Sequence, residues 1–187
     1  YDTYKNGFPA GSKEIHITTA EELAALIQIM EDTHAKKLTD GWFADGWIIL
    51  DNDIDLSGKE WCGNRVQYGN SVTSHAFYFD GNGKTVSGMT ITDSANASAK
   101  SDGAFMYGYG ASLFGMLYGG EIKDLTVKGS ICLTGHISYA GGLLSYMQNC
   151  YDTGAQGKEF VATLTNITTD VDIDLTLTSG NSLVYVG

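Results

Sequence analysis

A short strand-like pattern recurs along this chain and restricts its possible folds more than any other feature. Three stretches align without gaps, beginning at Val86, Ile122 and Leu164, with apolar residues at their first and fourth positions. The starts lie 36 and 42 residues apart. A second element recurs as "SLFG" (residues 112–115) and "GLLS" (142–145). Such repeats are typical of solenoids, in which each unit buries its apolar face by stacking on the next.

Glycines supply the corners between these short strands. In "FYFDGNGKTVSGMTI" (77–91), Gly81, Asn82 and Gly83 are residue types that adopt the positive φ of a tight turn. The chain has 24 glycines and one proline, which suits a turn-rich β architecture because proline interrupts ladder hydrogen bonds. We therefore predict an all-β fold, a parallel β-helix. A hairpin fold is the alternative, but the similar segments recur only after several intervening strands.

One amphipathic helix is predicted at residues 18–37. Thr19 and Glu22 form a capping box there. The apolar positions with helical spacing are Leu23, Leu26, Ile27 and Met30. We expect this helix to cover the open N-terminal end of the solenoid, so that residues 1–46 are a capping segment and 47–187 the coils. The final alternation, "NSLVYVG", lacks a closing turn, and we expect the coils to be truncated at their C-terminal end.

The charge balance excludes some classes of partner. The formal net charge is −11 with 11 Lys and Arg residues, which argues against nucleic acid and anionic membrane surfaces. No stretch approaches the roughly 20 apolar residues of a membrane helix, so no membrane insertion is expected. The glycine-rich stretch at 108–115 lacks the Lys-Ser/Thr of a phosphate-binding loop, and we predict no cofactor.

Acidic and sulfur side chains form no metal motif. Alternating aspartates on two strands could offer oxygen ligands to Ca²⁺, but strand neighbours two apart lie about 6–7 Å from each other. A solvated face that discourages aggregation is favoured for them. These aspartates are Asp51, Asp53, Asp55, Asp170, Asp172 and Asp174. Cys62, Cys132 and Cys150 are an odd number without zinc spacing, so at most one internal disulfide can form and at least one thiol is left over. Buried free thiols are favoured, and one disulfide is the alternative.

The sequence also resembles a known class of surface proteins. "NDIDLSG" (52–58), a following Trp61, the 77–91 stretch and the Gly-Leu segments are similar to bacterial cell-surface proteins with GLUG-type repeats, over roughly residues 47–180. The most specific part is "NDIDLSG" paired with "FDGNG"; "GGLLS" departs from the Gly-Gly-Leu-hydrophobic-Gly pattern. The resemblance implies a right-handed β-helix on a bacterial exterior, adhesin-like, with no catalytic residue of its own.

The most distinctive polar-aromatic stretch is "GAFMYGYGASLFGMLYGG" (103–120). Tyr107, Tyr109 and Tyr118 are the ligand-binding candidates, because tyrosines among glycines can stack on sugar rings or anchor a protein interface. An aromatic ladder inside the coil is the alternative for some of them. We predict an extracellular, non-catalytic module of a bacterial surface protein that binds a host or matrix glycan or protein.

Two rival functions stay open. A glycan-active enzyme, a polysaccharide lyase or glycosidase on the same fold, would need two acids, or an acid and a lysine, converging from consecutive coils. Several acids and lysines lie near turns without a spacing that selects a pair: Asp80, Asp93, Asp102, Asp124, Lys84, Lys100 and Lys123. The other rival is a structural spacer beside a peptidase domain, which predicts no aromatic platform on the outside.

Overall fold

The computed structural model describes residues 11–35, 46–61, 77–92, 109–135, 137–151, 159–177 and 185–186. In these ranges the protein is mostly β, with one helix, α1 (Ala20–Ala35). The strands in chain order are β1 (Glu14–Ile17), β2 (Trp47–Leu50), β3 (Ile54–Asp55), β4 (Phe77–Thr92), β5 (Tyr109–Ala111), β6 (Met116–Tyr118), β7 (Gly120–Gly135), β8 (Ile137–Ala140), β9 (Tyr146–Gln148), β10 (Cys150–Tyr151), β11 (Glu159–Phe160), β12 (Ala162–Leu177) and β13 (Tyr185–Val186). The prediction of an all-β, parallel arrangement is confirmed at this level.

The strands pair in parallel, in an order that follows the chain. The large sheet has the order β1-β2-β4-β7-β12, with β3 also on β4, and every pairing in it is parallel. A second parallel sheet contains β5, β8 and β13, and a third contains β6 and β9. Strands β4, β5 and β6 are therefore followed by β7, β8 and β9 in the same order of sheets. Only β10 and β11, among the described strands, pair antiparallel.

The register agrees with only part of the repeat seen in the sequence. Ile122 lies opposite Leu164, as the alignment predicts. Val86, however, lies opposite Val127, so its alignment with Ile122 is wrong. The register of β4 against β7 shifts between Asp80 and Lys84 and again between Val86 and Met89, where β4 carries extra residues. These irregularities move the apolar pattern of β4 along the sheet, which a gapless alignment cannot reproduce.

The second recurring element, 112–115 and 142–145, does stack. The backbone N–H of Leu113 donates to the Gly142 oxygen, that of Phe114 to Leu143, and that of Ser145 to Gly115. The ring of Phe114 then reaches across to the large sheet and contacts Phe79, with ring centroids 4.7 Å apart. The apolar core is therefore enclosed between the large sheet and this stacked segment.

Polar side chains stack where the strands of the large sheet bend. Asn82, Asp124 and Asn166 all have positive φ, between 51° and 53°. Asn166 donates its side-chain Nδ2 to Asp124 Oδ1 over 2.7 Å, and Asn82 donates to the Leu50 oxygen over 3.1 Å. Asn52 makes the corresponding bond to Thr18 one strand earlier. The side-chain amides of Asn52, Asn82 and Asn166 thus each tie one corner of the stack to the preceding strand.

The helix begins with the predicted capping box. The Glu22 N–H donates to Thr19 Oγ1, and Glu22 Oε2 accepts the Thr19 N–H, each over 3.2 Å. Leu23, Leu26 and Ile27 are buried in the same core as Ile15 of β1. The side chain of Met30 lies outside the described residues. The helix therefore packs against the core beside the first strand of the large sheet.

Candidate functional site

Of the three tyrosines predicted to bind ligand, the structure describes the backbone of two, Tyr109 and Tyr118. Tyr107 lies outside the described residues, as do the side chains of Tyr109 and Tyr118. The backbone of Tyr109 begins β5, opposite Ile137, and that of Tyr118 ends β6, opposite Gln148. These two strands belong to different sheets. A binding platform at these three residues stays a prediction.

A different aromatic group lies on the outer face of the large sheet. Ile48, Phe79 and Ile122 occupy one row of β2, β4 and β7, and each is fully buried. Because side chains alternate across a strand, the neighbouring residues face outward. Five of these six neighbours form what we name the outer-face patch: Trp47, Tyr78, Asp80, Glu121 and Lys123. The sixth, Ile49, lies opposite Asp80. All five side chains are partly exposed.

The register of the strand pairing places the residues of the outer-face patch side by side. Tyr78 lies opposite Glu121 and Asp80 lies opposite Lys123. The pairing of Ile48 with Phe79 sets Trp47 next to Tyr78, where their ring centroids are 5.3 Å apart at an interplanar angle of 54°. Three consecutive strands of the sheet therefore contribute to one continuous surface of rings and charges.

Lys123 connects the aromatic and the acidic parts of the patch. Its Nζ lies 3.0 Å from Asp80 Oδ2 and 4.5 Å from the centroid of the Trp47 ring. The hydrogen bond that the Lys123 ammonium donates to Asp80 raises the pKa of this lysine above its usual value. The lysine is thus held as a cation against the face of an aromatic ring, an arrangement that is attractive in its own right. These contacts limit the motion of all three side chains.

The surroundings of the patch are acidic. Glu121 accepts a hydrogen bond from Thr165 Oγ1 over 2.9 Å. Beyond Trp47, His16 lies 2.9 Å from Asp51 Oδ1 and 3.4 Å from Glu14 Oε2. Hydrogen bonds from the imidazole ring to the carboxylates of Asp51 and Glu14 raise the pKa of His16. Carboxylates therefore flank the rings on both sides.

The acidic strand residues do not form a metal cluster among the described residues. All six predicted members of the acidic face are exposed. Asp53 accepts the Thr85 N–H over 2.8 Å and Asp55 accepts the Ser57 N–H over 2.9 Å. Asp170 lies 3.9 Å from the Lys128 ammonium. Hydrogen bonds from the backbone N–H and the side chain of Ser57 lower the pKa of Asp55.

The prediction of buried thiols is wrong for Cys132. This free cysteine is exposed on β7. It lies between Ile131 and Leu133, both buried, so alternation turns its side chain outward. Cys62 and the side chain of Cys150 lie outside the described residues. Within the described part of the chain, no helix is long and apolar enough to cross a bilayer.

Of the acids and lysines considered for catalysis, the structure brings together Asp80 and Lys123. Asp93, Lys100 and Asp102 lie outside the described residues, and Asp124 is bonded to Asn166 at the stacked corner. Sequence reasoning missed Trp47 and Tyr78 as site residues. The alternation in "WIIL" and "FYFD" was a usable signal, because a buried Ile48 and Phe79 place both rings outside.

Comparison with known proteins adds no relative: no family model, curated protein or solved structure matches this chain.

Proposed function

We propose that this protein is a non-catalytic binding module built on a right-handed parallel β-helix, and that its outer-face patch binds neutral glycans. The β-helix is supported by the parallel pairing and by the repeated order in which successive strands enter the three sheets. The right hand follows from the near-universal handedness of crossovers between parallel strands. An extracellular position on a bacterial surface is part of the proposal and is supported by the GLUG-like resemblance.

The patch has the two chemical properties that sugar recognition requires. Trp47 and Tyr78 offer ring surface to the apolar faces of a pyranose. Glu121, Asp80 and Lys123 offer acceptors and donors to its hydroxyls within the same three strands. The ring and ion-pair contacts of Lys123 hold these groups in place before a ligand arrives. Preorganisation of this kind lowers the entropy lost on binding.

The negative charge in and beside the outer-face patch favours neutral glycans over anionic ones. Asp80 and Glu121 belong to the patch, Glu14 lies opposite Trp47 on β1, and the lysine of the patch is already paired with Asp80. A uronate, sulfate or sialate would meet like charge, whereas a neutral hexose chain would not. The proposed ligand class is therefore neutral polysaccharide.

The test is binding of the purified chain to arrays of neutral and anionic glycans, with Trp47→Ala and Tyr78→Ala as site variants. We expect saturable binding to at least one neutral glycan and a loss of about tenfold in each variant, about the value of one ring contact. Ser130→Ala is the matched control, since Ser130 is a partly exposed residue elsewhere on β7. Its binding should equal that of the unmodified chain.

Other outcomes would overturn this assignment. A preference for anionic glycans would contradict the proposal that the outer-face patch binds neutral glycans. So would binding that is unchanged in both Trp47→Ala and Tyr78→Ala. Loss of binding in Tyr107→Ala with Tyr109→Ala, and not in the patch variants, would move the site to the aromatic stretch predicted from sequence. Absence of binding to every glycan on the arrays would favour a protein ligand or a role as a structural spacer.

One observation favours a second function, glycan cleavage. Asp80 and Lys123 come from consecutive long strands and lie 3.0 Å apart, the acid and lysine pair that an enzyme on this fold would need. The raised pKa of Lys123 keeps the amine protonated, which suits charge stabilisation and opposes a role as base. Mass analysis of the bound glycans distinguishes the two functions. Shortened products that disappear in Lys123→Met would establish the enzyme.

A further inference from the structure

The outer-face patch is the centre of a longer strip that reaches all five strands of the large sheet. On β1, Glu14 lies opposite Trp47, and on β12, Thr163 lies opposite Glu121. The next outward residue of each strand forms a second row beside the first. We name these ten residues the outer strip: Glu14, Trp47, Tyr78, Glu121 and Thr163 in the first row, and His16, Ile49, Asp80, Lys123 and Thr165 in the second. All ten side chains are exposed or partly exposed.

The outer strip is long and narrow. The strands bend just after its second row, at the stacked corner where Asn82, Asp124 and Asn166 have positive φ. The strip is thus two outward residues wide, about 7 Å, and five strands long, about 19 Å. Because its side chains face away from the core, a further strand on either edge of the sheet would lengthen the strip and cover none of it. A ligand that contacts the whole strip is therefore a single extended chain.

Hydrogen-bonding groups lie on both sides of the two rings. Thr165 Oγ1 donates to Glu121 over 2.9 Å, so hydroxyls and a carboxylate continue the polar surface onto β12. On the other side, beside Trp47, Glu14 Oε2 lies 3.4 Å from His16 Nε2. A sugar stacked on a ring would place its neighbours in the chain over groups that accept and donate hydrogen bonds, as sugar hydroxyls require.

The angle between the rings also favours a single chain. Trp47 and Tyr78 are tilted by 54° and do not form one plane. One glycan chain can twist to contact both rings, whereas the packed chains of a solid polysaccharide lie in a plane and would meet one ring only.

We propose that the outer strip binds an unbranched neutral glycan along its length, with internal sugars on Trp47 and Tyr78 and further sugars over β1 and β12. This inference rests on the proposed function of the outer-face patch and adds the form of its ligand. A chain laid across the strands meets a new strand about every 4.8 Å, which is roughly one sugar per strand. Short fragments therefore make only part of the contacts that a longer chain makes.

The probes are unbranched β-linked oligomers of glucose, mannose and xylose with one to six sugars, titrated calorimetrically into the full chain. Affinity in the series that binds should rise at least about tenfold from the dimer to the hexamer, because each further strand adds contacts. The same hexamer with single-sugar branches on its backbone should bind at least about tenfold more weakly, since the branches widen it beyond the strip.

Thr163→Ala is the decisive variant, because Thr163 lies at one end of the strip, three strands from Trp47. It should weaken binding of the hexamer by about fourfold, the value of one hydrogen bond, and leave binding of the dimer unchanged. Trp47→Ala should weaken both. Thr168→Ala changes an exposed threonine of the same strand beyond the corner, and as the matched control it should alter neither.

Three results would overturn this inference and leave the proposed function standing. The first is a dimer or a branched hexamer that binds as tightly as the unbranched hexamer, and the second is a hexamer whose affinity is unchanged in Thr163→Ala. The third is absence of binding by every unbranched hexamer when another neutral glycan binds the outer-face patch. Absence of binding by all neutral glycans would overturn the proposed function itself, and this inference with it.

Discussion

At the scale of single residues, the stacked corners are the most sensitive positions. Asn82 holds a φ of 53° and donates to the Leu50 oxygen, so it serves both conformation and hydrogen bonding. Asn82→Ala should lower the free energy of unfolding by about 2 kcal/mol, since alanine disfavours the left-handed region and makes no side-chain bond. Asn82→Gly should cost about 1 kcal/mol, because glycine tolerates the conformation. Urea unfolding of the three proteins measures both values.

Comparing Asn82→Ala with Asn82→Gly separates the contribution of the positive φ from that of the side-chain hydrogen bond. Equal losses for Asn82→Ala and Asn82→Gly would mean that the positive φ contributes nothing and that the amide bond carries the whole effect. The sequence alone indicated a positive φ at Gly81, Asn82 and Gly83, and this is confirmed for Asn82 and Gly83 and wrong for Gly81. Gly81 is different: its φ is not positive, and an added Cβ would collide with the Asp124 carbonyl oxygen. Close approach between strands, which depends on register, explains this glycine.

At the scale of elements, the cap of α1 makes stability depend on pH. The Thr18 backbone N–H donates to Glu22 Oε2 over 2.7 Å and the Thr18 hydroxyl over 2.8 Å, and these bonds lower the pKa of Glu22 below its usual 4.5. A carboxyl whose pKa is lower in the folded state stabilises the fold above the unfolded pKa. That stabilisation is lost as pH falls through the folded value.

Glu22→Gln should therefore be less stable than the unmodified chain at pH 7, and the difference should shrink as pH falls from about 5 to about 3. Glu21→Gln removes a charge from the same helical turn without touching Thr18, and serves as the control. Thermal unfolding across this pH range follows both variants. If the difference in stability between Glu22→Gln and the unmodified chain does not change with pH, the ionised Glu22 carboxylate does not stabilise the cap of α1.

The same element shows where sequence reasoning succeeds. Thr19 and Glu22 act within one helical turn, so local spacing was sufficient to predict their bonds. The outer-face patch depends instead on the register that sets Trp47 beside Tyr78 and Asp80 beside Lys123. Alternation within each strand indicates which side chains face outward, but it does not indicate which strands are neighbours. The bulges in β4 then shift the register, which a gapless repeat does not anticipate.

At the scale of the whole molecule, the stacking of strands predicts that a core substitution lowers the free energy of unfolding by an amount that depends on the strand. The loss should be larger in β7 than in β12. Ile131 and Ile173 occupy the same row on β7 and β12, but among the described strands Ile131 has a neighbour on both sides and Ile173 has β7 alone. Ile131 is 1% exposed and Ile173 is partly exposed. Ile131→Ala should cost about 3 kcal/mol and Ile173→Ala about 1.5 kcal/mol, since only the first leaves a closed cavity. Equal losses in urea unfolding would mean that β12 is covered in solution.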